Sequence, residues 1–254
     1  MAVTKGETKR DWMGRALILL VVFALLAFGL PMFLRLAGAH EQLEALGPDA
    51  FTWAYVATGV ILVLAVTMAL RRKGPGGAFR ALGLAPFTAK GVALAVLSLT
   101  ALAFVASRLG HPFVMPALGT ALSLGLVGPF AEELLFRGFL FRQGRDWAQM
   151  PFWGAAAVSS LLYGLGHFSQ GDSLSASILA VLISFATGMV FCWLTERWGG
   201  LWPAIVLHAG LDFLWLVYLL GDNAIGGEVG NAARLSALVV MVAGTLFFTR
   251  RPKA

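Results

Sequence analysis

Long apolar runs separated by short polar gaps set the pattern of this chain. The runs fall at about 14–36, 53–70, 90–107, 117–142, 151–168, 174–195, 200–220 and 232–249. Each is close to or above the ~20 residues that a helix needs to cross the hydrocarbon of a bilayer. None alternates as a barrel strand must, and an open sheet edge cannot face lipid. The pattern therefore predicts an all-α, polytopic membrane protein with eight transmembrane helices.

Composition strengthens that reading, since 59% of the 254 residues are hydrophobic and only 13% are charged, with a mean hydropathy of +0.81. The net charge of +6 is carried in the gaps between runs, so it reads as an orientation signal, and no nucleic-acid partner is expected. Sixteen of the 19 Lys and Arg residues fall on one side of an eight-span topology, leaving Arg35, Arg108 and Arg234 on the other. Both termini are then cytoplasmic. The opposite loops are acidic, with Glu41, Glu44, Asp49, Asp172, Asp222 and Glu228. Lys5, Lys9 and Arg10 ahead of an apolar stretch outline a signal peptide, but the run from about Met13 to Leu36 is long enough to span, so an uncleaved first helix is expected. The linker "RRKGPGGAFRALGLAPFTAK" marks a weak boundary between residues 1–90, two peripheral helices with a basic linker, and a core at 91–254. Cys192 is the only cysteine, which excludes an intrachain disulfide and a Cys-rich zinc site.

Ionisable residues inside apolar runs are expensive and need a reason. Of the 13 acidic residues only Glu132, Glu133 and Asp212 fall in predicted spans, joined by His167 and His208. Helical spacing sorts them, because neighbours point about 100° apart whereas residues four apart share a face. Glu133 and Arg137, in "EELLFR", form an i, i+4 pair with the acid on the favourable N-terminal side, so Glu133 is expected to be paired and structural. Glu132 has Phe136 at that spacing and is left to face a cavity. In "HAGLD" His208 and Asp212 lie four apart, so the carboxylate is expected to hold the imidazole in one tautomer. His167 closes "YGLGH", one turn after Tyr163. Glu196, at a helix end, is expected to need only solvent. A free carboxylate with two imidazoles suits acid–base chemistry on water, with or without a metal, and amide hydrolysis is the natural reaction class.

These three motifs resemble those of the CAAX protease and bacteriocin-processing family of intramembrane proteases, also called the Abi family, over about residues 120–220. The resemblance assigns Glu132, Glu133 and Arg137 to the first motif, His167 to the second, and His208 with Asp212 to the third. Two positions depart from it, Tyr163 where Phe is usual and Asp212 where Asn is frequent. The resemblance implies an intramembrane endopeptidase in which Glu132 activates water and His167, His208 and Asp212 complete the catalytic set, supported by Glu133, Arg137 and Tyr163. A divalent metal such as zinc, held by Glu132, His167 and His208, is a candidate cofactor. The expected partners are the lipid bilayer and a membrane-associated peptide or protein, prenylated or carrying a leader, cleaved near the cytoplasmic face. The expected location is multi-pass in the membrane, the plasma membrane if the source is prokaryotic. Two other readings use the same residues: a proton-coupled transporter with an acid–histidine relay, and a non-catalytic scaffold or immunity protein.

Depth counting leaves one mismatch. Glu132 lies roughly 15 Å from the end of its helix near Arg142 and His208 about 12 Å from the start of its own, but His167 counts about 24 Å from Pro151. The expected resolution is that "GRDWAQMPFWG" forms a helical entry below the hydrocarbon, which would lower His167.

Overall fold

The computed structural model describes residues 7–47, 49–221 and 225–249, and its regular structure is helical throughout. The charged positions Lys5, Asp222, Arg250, Arg251 and Lys253 lie outside the described residues. Among the described residues, six helices are long and apolar enough to cross a membrane: α1 (Trp12–Leu36), α3 (Ala50–Arg71), α5 (Ala89–Arg108), α6 (Leu118–Asp146), α8 (Leu174–Trp198) and α10 (Glu228–Phe248). Between them lie the short α2 (Ala39–Glu44) and α4 (Pro75–Ala81). The runs expected at 151–168 and 200–220 appear as α7 (Phe152–Leu165) and α9 (Trp202–Val217), of 14 and 16 residues. At 1.5 Å per residue these reach about 21 and 24 Å, short of the ~30 Å hydrocarbon thickness. Glycines or prolines bound them, with Pro151 ahead of α7, Gly166 after it and Pro203 in the first turn of α9.

Two helices widen locally for the same reason. Within α1 and α6 the backbone passes through π turns at Leu25–Gly29 and Ser123–Val127, each followed two residues later by a proline, Pro31 and Pro129. Proline has no N–H and its ring crowds the carbonyl one turn back, so an i→i+5 turn makes room. A second π stretch in α6, Glu133–Phe141, carries the acidic motif.

Helices α7 and α8 approach closely through small residues. Ala156, Ser160 and Gly164 on one helix and Ala180, Ser184 and Gly188 on the other are buried, the small-residue packing typical where no hydrophobic drive operates between lipid-facing helices. A Cβ on Gly164 would stand 2.7 Å from the Val181 carbonyl oxygen, whereas one on Gly59 in α3 would meet nothing within 4 Å. Gly164→Leu is therefore expected to destabilise the protein by about 1–3 kcal/mol through overpacking, and Gly59→Leu to leave it unchanged, as read by thermal unfolding in detergent.

The amino-terminal helices and the linker pack on the core. Leu19 and Phe23 of α1 are buried with Leu134, Phe139 and Leu140 of α6, and Trp53 of α3 donates to the Ser123 hydroxyl at 3.0 Å. The linker folds into α4, with Ala78 and Leu82 fully buried. One end of the bundle gathers the arginines: Arg15 donates to the Trp147 carbonyl, Arg142 to that of Gly199, and Arg197 to Thr249. Glu196 is not left to solvent; it pairs with Arg145 at 2.9 Å and ties α8 to α6.

Candidate active site

Adjacency on α6 sends the two acids of "EELLFR" to different environments. Glu133 is fully buried and accepts from Arg137 Nη1 at 2.9 Å. The Arg137 guanidinium is also fully buried and lies over the Tyr163 ring at 4.2 Å and the Phe191 ring at 5.2 Å. Aromatic faces thus cover the nitrogens that carboxylate does not reach. Glu132, about 100° round the helix, has a side chain 42% exposed that lines a cavity.

His208 of α9 sits against both acids. Its Nδ1–H donates to Glu133 Oε1 at 2.8 Å, so one carboxylate oxygen serves Arg137 and His208 together. Its Nε2 faces the cavity, with the Tyr163 hydroxyl at 3.3 Å, Asp212 Oδ2 at 3.6 Å and Glu132 Oε2 at 3.9 Å. This corrects the expectation that Asp212 fixes the tautomer: Glu133, 75 residues away in sequence, occupies Nδ1, and Asp212 stands beyond ordinary hydrogen-bond reach of Nε2. The cause is that residues four apart on a helix share a face without their polar tips having to meet, and a buried acid from α6 competes for the same ring.

His167 reaches the same cavity. No helical entry lowers it, since Trp147 to Pro151 form a turn and α7 starts at Phe152, whose ring packs on Phe141 at 5.7 Å. His167 instead lies just past the last residue of α7 and donates from Nδ1 to the Tyr163 carbonyl one turn back, at 2.9 Å. Its ring packs 4.7 Å from that of Tyr163. With Phe152 beside Phe141 the count still places His167 higher, about 22 Å up its helix against about 14 Å for Glu132, and the imidazole narrows that gap by folding back towards the start of its helix.

Glu132, His167, His208 and Asp212 thus line one cavity of about 460 Å³. Phe191, Thr187, Trp215 and Arg234 line it as well and were missed from sequence. Phe191 and Thr187 lie in an apolar run with nothing to mark them. Arg234 was readable, being a charge inside a predicted span rather than in a loop. Among the described residues, no three His, Cys, Asp or Glu side chains are grouped to hold a metal ion. His208 Nε2 and Glu132 Oε2 stand 3.9 Å apart, and the chemistry below uses protein groups alone.

The chain from 114 to 214 matches the family model described as type II CAAX prenyl endopeptidase Rce1-like. This segment is similar to the Rce1-like family. The Rce1-like segment contains all three motifs, and the match agrees with the resemblance drawn from them. No curated protein and no solved structure matches the chain. With six apolar helices of spanning length among the described residues and a likeness to a membrane-protease family over its motif-bearing segment, the protein is an integral, multi-pass membrane protein.

Proposed function

We propose that the protein hydrolyses a peptide bond of a membrane-associated substrate inside the bilayer. Residues 91–254 form the catalytic core, and residues 1–90 act as peripheral support. All eight apolar helices cross the membrane, with α7 and α9 as short spans, both termini are cytoplasmic, and the membrane is the plasma membrane if the source is prokaryotic. Glu132 takes a proton from a water in the cavity as the hydroxyl oxygen attacks the carbonyl carbon. His208, held through Nδ1 by Glu133, presents Nε2 beside the Tyr163 hydroxyl to the oxygen on which negative charge develops. Glu132 then passes its proton to the leaving nitrogen as the C–N bond breaks. His167 and Asp212 orient water and substrate at the cavity wall.

The observation that carries this reading is the convergence of Glu132, His167, His208 and Asp212 on one cavity. It is tested by reconstituting the protein in liposomes with membrane-anchored peptides of varied carboxyl-terminal and leader sequence, in heavy-oxygen water, with a pH dye inside. The expected result is cleavage that places one heavy oxygen in the new carboxylate. Proton flux across the liposome without any cleavage would move the protein to the transporter reading.

A further inference from the structure

The linker between α3 and α5 concentrates positive charge where two helices of spanning length end. Residues 71–90 hold three arginines and two lysines and no acid. Folding sorts this stretch into two faces. In α4, Ala78, Ala81 and Leu82 are buried at helical spacing, while Phe79 and Arg80 between them stay exposed. Backbone carbonyls hold the buried face on the bundle: that of Ala81 accepts from Arg142 Nε and Gln143 Nε2, both at 3.1 Å, that of Gly83 from Leu201 N at 2.8 Å, and that of Leu84 from Trp202 Nε1 at 2.9 Å. Phe87 packs edge-on against the Trp202 ring at 5.5 Å, yet remains 58% exposed.

The cations of the linker fall on the open face. The Lys73 Cβ lies only 2.7 Å from where a Cβ on Gly77 would stand, so the end of α3 leans on α4. Arg80 follows Gly77 by three residues and lies one turn along the same side. Other basic side chains at this end of the bundle are already engaged: Arg15 with the Trp147 carbonyl, Arg145 with Glu196, and Arg197 with Thr249. By contrast, no acid among the described residues pairs with Arg72, Lys73, Arg80 or Lys90, and all four residues are exposed.

We propose that this exposed face is a docking surface for anionic phospholipid headgroups, whose phosphates pair with Arg72, Lys73, Arg80 and Lys90 while Phe79 and Phe87 enter the interface beside them. Like charges gathered on one surface need an anion from outside the protein. The ends of α3 and α5 set the linker at headgroup level, where the anions at hand are lipid phosphates. Exposed aromatic rings beside cations are the composition of a segment that lies in that layer, and they favour lipid over a soluble partner. The proposal uses neither the hydrolytic reading nor an assignment of which side of the membrane the linker faces.

The test places a fluorophore on the linker of the full-length protein through Ala89→Cys, native Cys192 being fully buried and serving as the unreactive background. The protein is reconstituted in phosphatidylcholine vesicles with a minor fraction of either brominated phosphatidylglycerol or brominated phosphatidylcholine as quencher. Phosphatidylglycerol is expected to quench in excess of phosphatidylcholine, and the excess to shrink in about 1 M salt, where charges are screened within about 3 Å. The triple variant Arg72→Gln, Lys73→Gln, Arg80→Gln is expected to lower the excess by about fivefold or more. The charge-keeping pair Arg72→Lys, Arg80→Lys should retain it, as should Arg35→Gln with Arg108→Gln in other loops. Equal quenching by the two lipids, an excess that survives in the triple variant, or an excess that falls as far in the Arg35 and Arg108 variant would each overturn the proposal. So would displacement of the lipid by millimolar inorganic phosphate at constant ionic strength, which would make the ligand a soluble anion.

Discussion

Glu132→Gln is expected to lower turnover by about 10²–10⁴-fold, equivalent to about 2.7–5.5 kcal/mol of lost transition-state stabilisation, while the thermal unfolding of the protein stays unchanged. Gln keeps the size of the side chain and removes only the ability to take a proton. The fold does not lean on this carboxylate: it is 42% exposed, lines the cavity, and stands 3.9 Å from His208 Nε2. Measured in parallel, single-turnover cleavage should collapse and the melting curve should not move. A variant that keeps a tenth or more of wild-type turnover sinks the assignment of Glu132 as base, and a variant that loses its fold shows that the exposed acid is structural after all.

The neighbouring acid should behave in the opposite way. Arg137→Leu is expected to cost about 3–5 kcal/mol of stability, because it leaves the Glu133 carboxylate buried with its charge uncompensated. Glu133→Leu strands the Arg137 guanidinium in the same way. In the double variant, however, both charges are gone, and a pair of apolar side chains in a buried site is often neutral or stabilising relative to the ion pair. The double variant is therefore expected to be more stable than either single variant, and still inactive, since His208 loses the acceptor that holds its Nδ1–H at 2.8 Å. A double-mutant cycle on melting temperature and cleavage reads both effects. If the two single losses simply add, the pair is not the coupled unit that its geometry describes.

These contrasts separate what two adjacent letters could say from what they could not. The i, i+4 spacing of Glu133 and Arg137 gave their pairing, because a helix fixes which side chains share a face. The same rule applied to His208 and Asp212 made Asp212 the holder of the imidazole, whereas Glu133 takes Nδ1, since local spacing carries no information about a partner on another helix. The linker was legible as Gly-rich and basic, yet its role under the bundle depends on carbonyls of Ala81, Gly83 and Leu84 meeting donors more than 60 residues away. His167 looked misplaced by counting because counts assume that a residue stays on its helix, whereas its imidazole turns back onto the Tyr163 carbonyl.

By itself the sequence determined the helical class, the positions of the apolar runs and the residue types of the motifs. Each is a local property, set by the cost of exposing backbone or charge to hydrocarbon. Only the tertiary structure decided that Glu133 serves His208 and that α7 and α9 stop short. Those depend on how helices and linker stack, and in a bilayer, where apolar faces are nearly interchangeable, close packing of small residues and a few long-range polar contacts make that choice.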